Sequence, residues 1–129
     1  MENGAVTDAY HSGWAVKGGE PMTNRHKMRV ASLSKVAVGL SAALLREEGA
    51  LDYDADIGTY WGVETRKPVT VRHLLSHTST LVNNEDISWD CAGVRSQLTS
   101  PSGYAWGTPG DLKCWSYNNH AFCVLGQTL

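Results

Sequence analysis

The sequence predicts one domain that mixes strands with helices, and three observations carry that expectation. Residues 4 to 22, GAVTDAYHSGWAVKGGEPM, combine strand formers with a Gly-Gly-Glu-Pro turn signal. Residues 32 to 48 are mostly good helix formers and run into Gly49, where a C-terminal glycine cap belongs. Thr70 stands directly ahead of VRHLLSH, in the place of an N-cap. At 129 residues the chain has room for one ordinary domain with a real core.

The elements follow in order. Residues 4 to 22 read as one or two strands and a turn. In the helix from Ser32 to Glu48, Leu33, Val36, Ala37, Leu40, Ala43 and Leu44 cover well over one face, while Gly39, Ser41 and Ala42 keep the rest slim. A helix with that profile is expected to be buried between layers. LDYDADIGTYWG then reads as a turn with one short helical piece, and Val71 to His77 as a short helix. Residues 82 to 113 are rich in Gly, Pro, Ser, Asn and Asp and are expected to be dominated by loops. After a turn at Pro109-Gly110 comes a polar knot from Ser116 to Asn119 and the opening of another helix. Trp89, Trp106 and Trp115 are candidates to line an apolar pocket, although core positions are the simpler expectation for most of the five tryptophans.

Composition removes several classes of function. A net charge of -2 gives no electrostatic case for nucleic acid, and no block of like charges suggests a membrane patch. The longest apolar run, Val36 to Leu45, is broken by Gly39 and Ser41 and is far short of the about 20 residues that span a bilayer. MENGAVTDAY lacks the basic and apolar regions of a signal peptide, and the compartment is left open. The three cysteines, Cys91, Cys114 and Cys123, form no CxxC pair, so a disulfide framework is not expected, while a single bridge stays open. No phosphate-cradling glycine loop occurs and no cofactor is implied.

One pair of residues asks for a chemical reason. Ser32 lies three positions ahead of Lys35, at the mouth of an apolar run where a buried ammonium is costly. On a helix, residues three apart share a face, so hydroxyl and amine meet at one point in space. A serine hydroxyl becomes a nucleophile only when a base takes its proton. Burial lowers a lysine pKa, and a nearby phenol can share the proton. A serine at a helix N-terminus also sets its own backbone N–H near any oxyanion formed by its attack. The bland alternative is a serine that merely caps a helix. A metal site is the other reading: His73 and His77 are four apart on a predicted helix, but no glutamate completes an HExxH pattern, and no metal site is assigned. His11, His26 and His120 show no pairing pattern.

Three blocks, MTNRHKMRVASLSKVAVGLSAALLREEGALDYDADIGTYW, PVTVRHLLSHTSTL and TPGDLKCWSYNNHAFCVLG, resemble in order the serine β-lactamase and penicillin-binding-protein superfamily. The branch they are most similar to holds class C β-lactamases, D-alanyl-D-alanine carboxypeptidases and related esterases. The resemblance implies an α/β (α+β) fold, with an antiparallel sheet and packed helices beside a helical subdomain. Residues 1 to 31 would form a sheet hairpin, 32 to 49 the nucleophile helix, and 50 to 129 the start of the helical subdomain. It implies that Ser32 is acylated, that Tyr117 near Lys35 acts as general base and then acid, and that Asn119 hydrogen-bonds the amide side chain of a substrate. Lys35 and Tyr117 would titrate as a coupled pair. The partner is a small molecule or peptide carrying an acyl group.

The sequence departs from the family pattern in three places. No Lys-Thr-Gly or His-x-Gly follows YNN, and only about 30 residues precede Ser32. Thr80 stands where the HTSGL landmark has glycine, so the turn there is expected to be altered. The chain therefore reads as the front half of a serine hydrolase, incomplete at both ends. A catalytically dead binding module, self-association or complementation by another segment is the rival expectation.

Overall fold

The computed structural model describes residues 3 to 83 and 90 to 129. The chain divides into two compact units, Met1–Ala31 and Ser32–Leu129.

No strand forms among the described residues, which corrects the expected antiparallel sheet and its hairpin in residues 1 to 31. The first unit does turn back on itself. Ala15 N–H donates to the Glu20 carbonyl at 2.8 Å, Met22 N–H to the Gly13 carbonyl at 2.9 Å, and one bridge pairs Trp14 with Pro21. The ladder stops there because Pro21 has no N–H to continue it. Two arms alone also lack a third strand or packed face to hold them. Val6, Tyr10, Trp14 and Val16, the strand formers that suggested one or two strands, are all exposed.

The second unit is helical. A 3₁₀ turn, Ala31–Leu33, leads into α1, Ser34–Glu47. Gly49 takes φ +73, with its N–H on the Arg46 carbonyl and the Ala50 N–H on the Leu45 carbonyl. That is the glycine C-cap the sequence predicts, in its Schellman form. Asp56 caps α2, Ile57–Trp61, by accepting from Gly58 N–H at 2.8 Å, and Gly62 closes it at φ +61. Gly58 has no room for a side chain, since a Cβ there would strike the Val63 carbonyl. Thr70 caps α3, Val71–Leu75, as expected. Asp90 caps α4, Cys91–Thr99, within the stretch expected to be loop. Asn118 caps α5, Asn119–Thr128, its Oδ1 accepting from Ala121 N–H at 2.8 Å.

The α5 helix is the hub, packed against α1, α2 and α3. Ala121, Val124 and Leu125 are buried from its side, against a core that includes Ile57, Trp61, Val71, Leu74 and Leu98. The apolar residues at 91, 94 and 98 repeat at helical spacing, and Val94 and Leu98 fill the core from α4. That repeat, behind Asp90, was the available signal for α4. On α1 only Ala42 is buried, with Val38 and Leu45 packed partly against the core. Leu33, Val36, Leu40 and Leu44 lie along the opposite side and are exposed. The expected burial of α1 between layers is thus half realised, because helices of this unit cover one side of it. Trp61 is the one core tryptophan among those described. Trp14, Trp106 and Trp115 are exposed, and Trp89 lies outside the described residues.

No described helix is long and apolar enough to cross a membrane. No disulfide joins Cys91, Cys114 or Cys123. No cluster of metal-ligating side chains occurs among the described residues.

Candidate active site

Ser32 sits in the 3₁₀ turn that starts α1, and Lys35 one turn further on, so both face one way. Ser32 does not cap the helix: the N-cap position is Leu33, which makes no side-chain cap bond. The backbone just before Ser32 is strained, since Ala31 takes φ +45. An alanine in that left-handed region costs about 1–2 kcal/mol, and such strain gathers at functional positions.

The fold brings Tyr117 and Asn119 to this point from more than eighty residues away. Ser32 Oγ and Tyr117 Oη are 2.5 Å apart. Lys35 Nζ donates to Tyr117 Oη at 2.7 Å, to Asn119 Oδ1 at 2.8 Å and to Ser32 Oγ at 3.3 Å. An ammonium has three N–H bonds, and here each has an acceptor. All four residues singled out in the sequence are therefore joined in one hydrogen-bond network, with Lys35 bonded to each of the other three. The Lys35 hydrogen bond, followed by that of Ser32, holds the Tyr117 phenol below its ordinary value near 10. A phenol in that state gives up its proton more readily at neutral pH, and it is the group nearest the serine hydroxyl.

Tyr117 and Asn119 alternate with Ser116 and Asn118, so the motif splits its work between two sides. Asn118 is buried; its Nδ2 donates to the Leu81 carbonyl at 2.5 Å while its Oδ1 caps α5. Asn119 is the first residue of α5, and its N–H donates to Asn83 Oδ1 at 3.1 Å. The segment from His77 to Val82 runs beside this motif. Ser116 N–H donates to the His77 carbonyl at 3.0 Å, Ala105 N–H to the Thr80 carbonyl at 2.7 Å, and Val82 N–H to the Gly103 carbonyl at 2.9 Å. Thr80 takes φ +59. At this turn a β-branched residue thus holds a conformation that favours glycine. A cavity of about 270 Å³ opens on this side, with Trp106 and Trp115 in its wall as the sequence suggested.

The family model described as Beta-lactamase matches residues 1–129. The chain belongs to the Beta-lactamase family. Penicillin-binding protein 4* of Bacillus subtilis (strain 168) is a relative, 33% identical over 116 residues, which cover 81% of this chain and 25% of that protein. This Beta-lactamase family chain thus spans about a quarter of the length of the curated relative it matches. No solved structure matches it.

Sequence reasoning missed two residues at the site. His77 drew notice only for its spacing from His73, yet its ring lies 4.8 Å from the Tyr117 ring. Asn83, which braces the start of α5, was read only as loop. Nothing in the sequence pairs either with the Tyr-x-Asn motif, because both contacts cross more than thirty residues.

Proposed function

We propose that this chain carries the nucleophile and base of a serine hydrolase that acts on amide, ester or β-lactam carbonyls through an acyl-serine intermediate. The observation that carries the reading is the triangle of Ser32 Oγ, Tyr117 Oη and Lys35 Nζ, with edges of 2.5, 2.7 and 3.3 Å. In this reading Tyr117, as phenolate beside the Lys35 ammonium, takes the Ser32 proton as Oγ bonds to the substrate carbonyl carbon. The Ser32 backbone N–H, at the head of α1, faces the developing oxyanion. Tyr117 then gives the proton to the leaving nitrogen or oxygen as its bond to carbon breaks. Water resolves the acyl-enzyme by the reverse route, with Tyr117 again as base. Asn119 is assigned to the substrate amide as well as to Lys35. The class C branch is the finer placement we favour, with residues 50 to 129 as the start of a helical subdomain. The substrate is a small molecule or peptide bearing an acyl group.

The test is intact-mass analysis after incubation with a fluorescent penicillin and, separately, a fluorophosphonate, beside a Ser32→Ala control. An adduct on the wild type that is lost in the variant is the expected result. A folded chain that takes no adduct from either probe sinks the reading. The second reading, a binding module that needs a complementing segment or partner, is favoured by the exposed apolar side of α1. It predicts no adduct until that side is covered.

A further inference from the structure

The helix α3 closes on a residue that its backbone does not favour. The Thr78 N–H donates to the His73 carbonyl at 2.9 Å and the His77 N–H to the Leu74 carbonyl at 3.3 Å. Those two bonds are a Schellman closure, with His77 in the left-handed position at φ +59. The same closure ends α1 on Gly49, where the conformation is free of strain. A histidine in that place has to be explained by what its side chain does.

The imidazole and its own carbonyl grip Tyr117 from both sides in sequence. The His77 carbonyl accepts from Ser116 N–H at 3.0 Å, and His77 Nδ1 accepts from Asn118 N–H at 3.1 Å. Between those bonds the Tyr117 ring lies against the imidazole, tilted 37° with centroids 4.8 Å apart. Phe122 of α5 closes on the imidazole at 5.0 Å, and Trp115 presents its edge at 6.2 Å.

We propose that His77 is the positioning residue of the Tyr117 phenol, acting as a neutral imidazole whose Nδ1 accepts the Asn118 N–H and whose face supports the Tyr117 ring. The proposal rests on the reading of Tyr117 as the base of Ser32. Because Nδ1 is the acceptor, the ring proton of the neutral form sits on Nε2. A second proton would have to go to Nδ1, which would break the bond to Asn118. The charged and titratable groups near His77 are Lys35, from α1, Tyr117 itself, and Lys113 and Cys114, which line the same cavity, and of the charges it is that of Lys35 that acts on the imidazole; α5 offers the uncharged Phe122 and the preceding loop the uncharged Trp115. Burial, and after it the Lys35 charge, lower the imidazole below its ordinary 6.5, which keeps it neutral at physiological pH. A folded-state value below the unfolded one means that the unfolded chain binds the extra proton first. The grip is therefore at full strength above about 6.5 and is lost as pH falls through the lower folded value.

Two variants separate positioning from folding. His77→Gly relieves the left-handed backbone and removes the ring. His77→Asn tolerates that backbone and keeps an acceptor oxygen where Nδ1 stands, without a group that titrates. The rate of Ser32 acylation by a fluorescent penicillin, whose β-lactam C–N bond breaks as Oγ bonds to the carbonyl carbon, is followed against pH, beside Tyr117→Phe as the variant without a base. We expect His77→Gly to unfold no earlier than wild type yet to be acylated about 100-fold more slowly, the size of an ångström-scale misplacement. His77→Asn should recover most of the rate and lose the steepening that the wild type shows at acid pH. Acylation of His77→Gly at the wild-type rate, or an unchanged acid profile in His77→Asn, overturns the proposal. The Asn118 amide resonance supplies a readout independent of activity. It should titrate with His77 in the wild type and stay flat in His77→Asn. If no variant or wild type is acylated, the hydrolase reading has failed, and an Asn118 amide that does not titrate overturns the grip separately.

Discussion

At the residue scale, three of the four strained positions lie close to the motifs singled out in the sequence. Among the described residues, Ala31 stands one place before Ser32, while His77 and Thr80 lie on the segment that runs beside the Tyr-x-Asn motif; these three and Asn3 are the non-glycine residues at positive φ. Thr80 carries a second burden, a buried hydroxyl with no hydrogen-bond partner. Replacing it by glycine removes both. Thr80→Gly should raise stability by about 1 kcal/mol net, since the freedom glycine gains in the unfolded chain offsets part of the relief. The readout is a urea midpoint that moves up with an unchanged slope. A midpoint that falls would mean that the lost methyl packing outweighs both burdens. Ser32 and Lys35 were legible as a pair because helical spacing is a local property. Their partners were legible only through the resemblance of the YNN block to a known motif.

At the element scale, the starts of α2, α3, α4 and α5 and the end of α1 were each written in a capping residue, while the start of α1 was not. Thr70 and Gly49 were predicted in those roles from their neighbours alone. Asp90 and Asn118 have the same chemistry but sit in stretches rich in turn residues, where the local signal is diluted. Asp56 does more than cap α2: its carboxylate also accepts from the Thr65 hydroxyl at 2.9 Å and from Val69 N–H at 3.2 Å. It thereby ties the α2 entrance to the strand-like approach to α3. Asp56→Ala should cost about 2 kcal/mol, the loss of a cap plus backbone donors left without partners, and Asp56→Asn should recover part of it. Thermal unfolding of the three proteins decides this. Equal midpoints would show that water replaces the carboxylate at no cost.

At the scale of the whole molecule, the sequence read α1 as apolar nearly all round, and it is. What the residues did not reveal is which side the chain itself covers. Ala42, Val38 and Leu45 meet the core, whereas Leu33, Val36, Leu40 and Leu44 form a continuous exposed stripe. Such a stripe favours association. The chain is expected to sediment above monomer mass as its concentration rises, and Leu40→Lys with Leu44→Lys is expected to restore the monomer. A double variant that associates as the wild type does would place the contact elsewhere. The absent sheet has a related cause. Residues 4 to 22 have strand composition, but a strand is stable only when a neighbour takes its hydrogen bonds, and Pro21 ends the one pairing available.

By itself the sequence determined what depends on near neighbours: the spacing of Ser32 and Lys35, the helix caps, the apolar faces, and the motif blocks that mark the Beta-lactamase family. The tertiary structure decided everything that joins distant residues. It brought Tyr117 and Asn119 onto Lys35, put the His77 imidazole under Tyr117, and left α1 with one side open. Those outcomes are set by burial and hydrogen bonding between segments, whose free energy belongs to no single stretch of the chain.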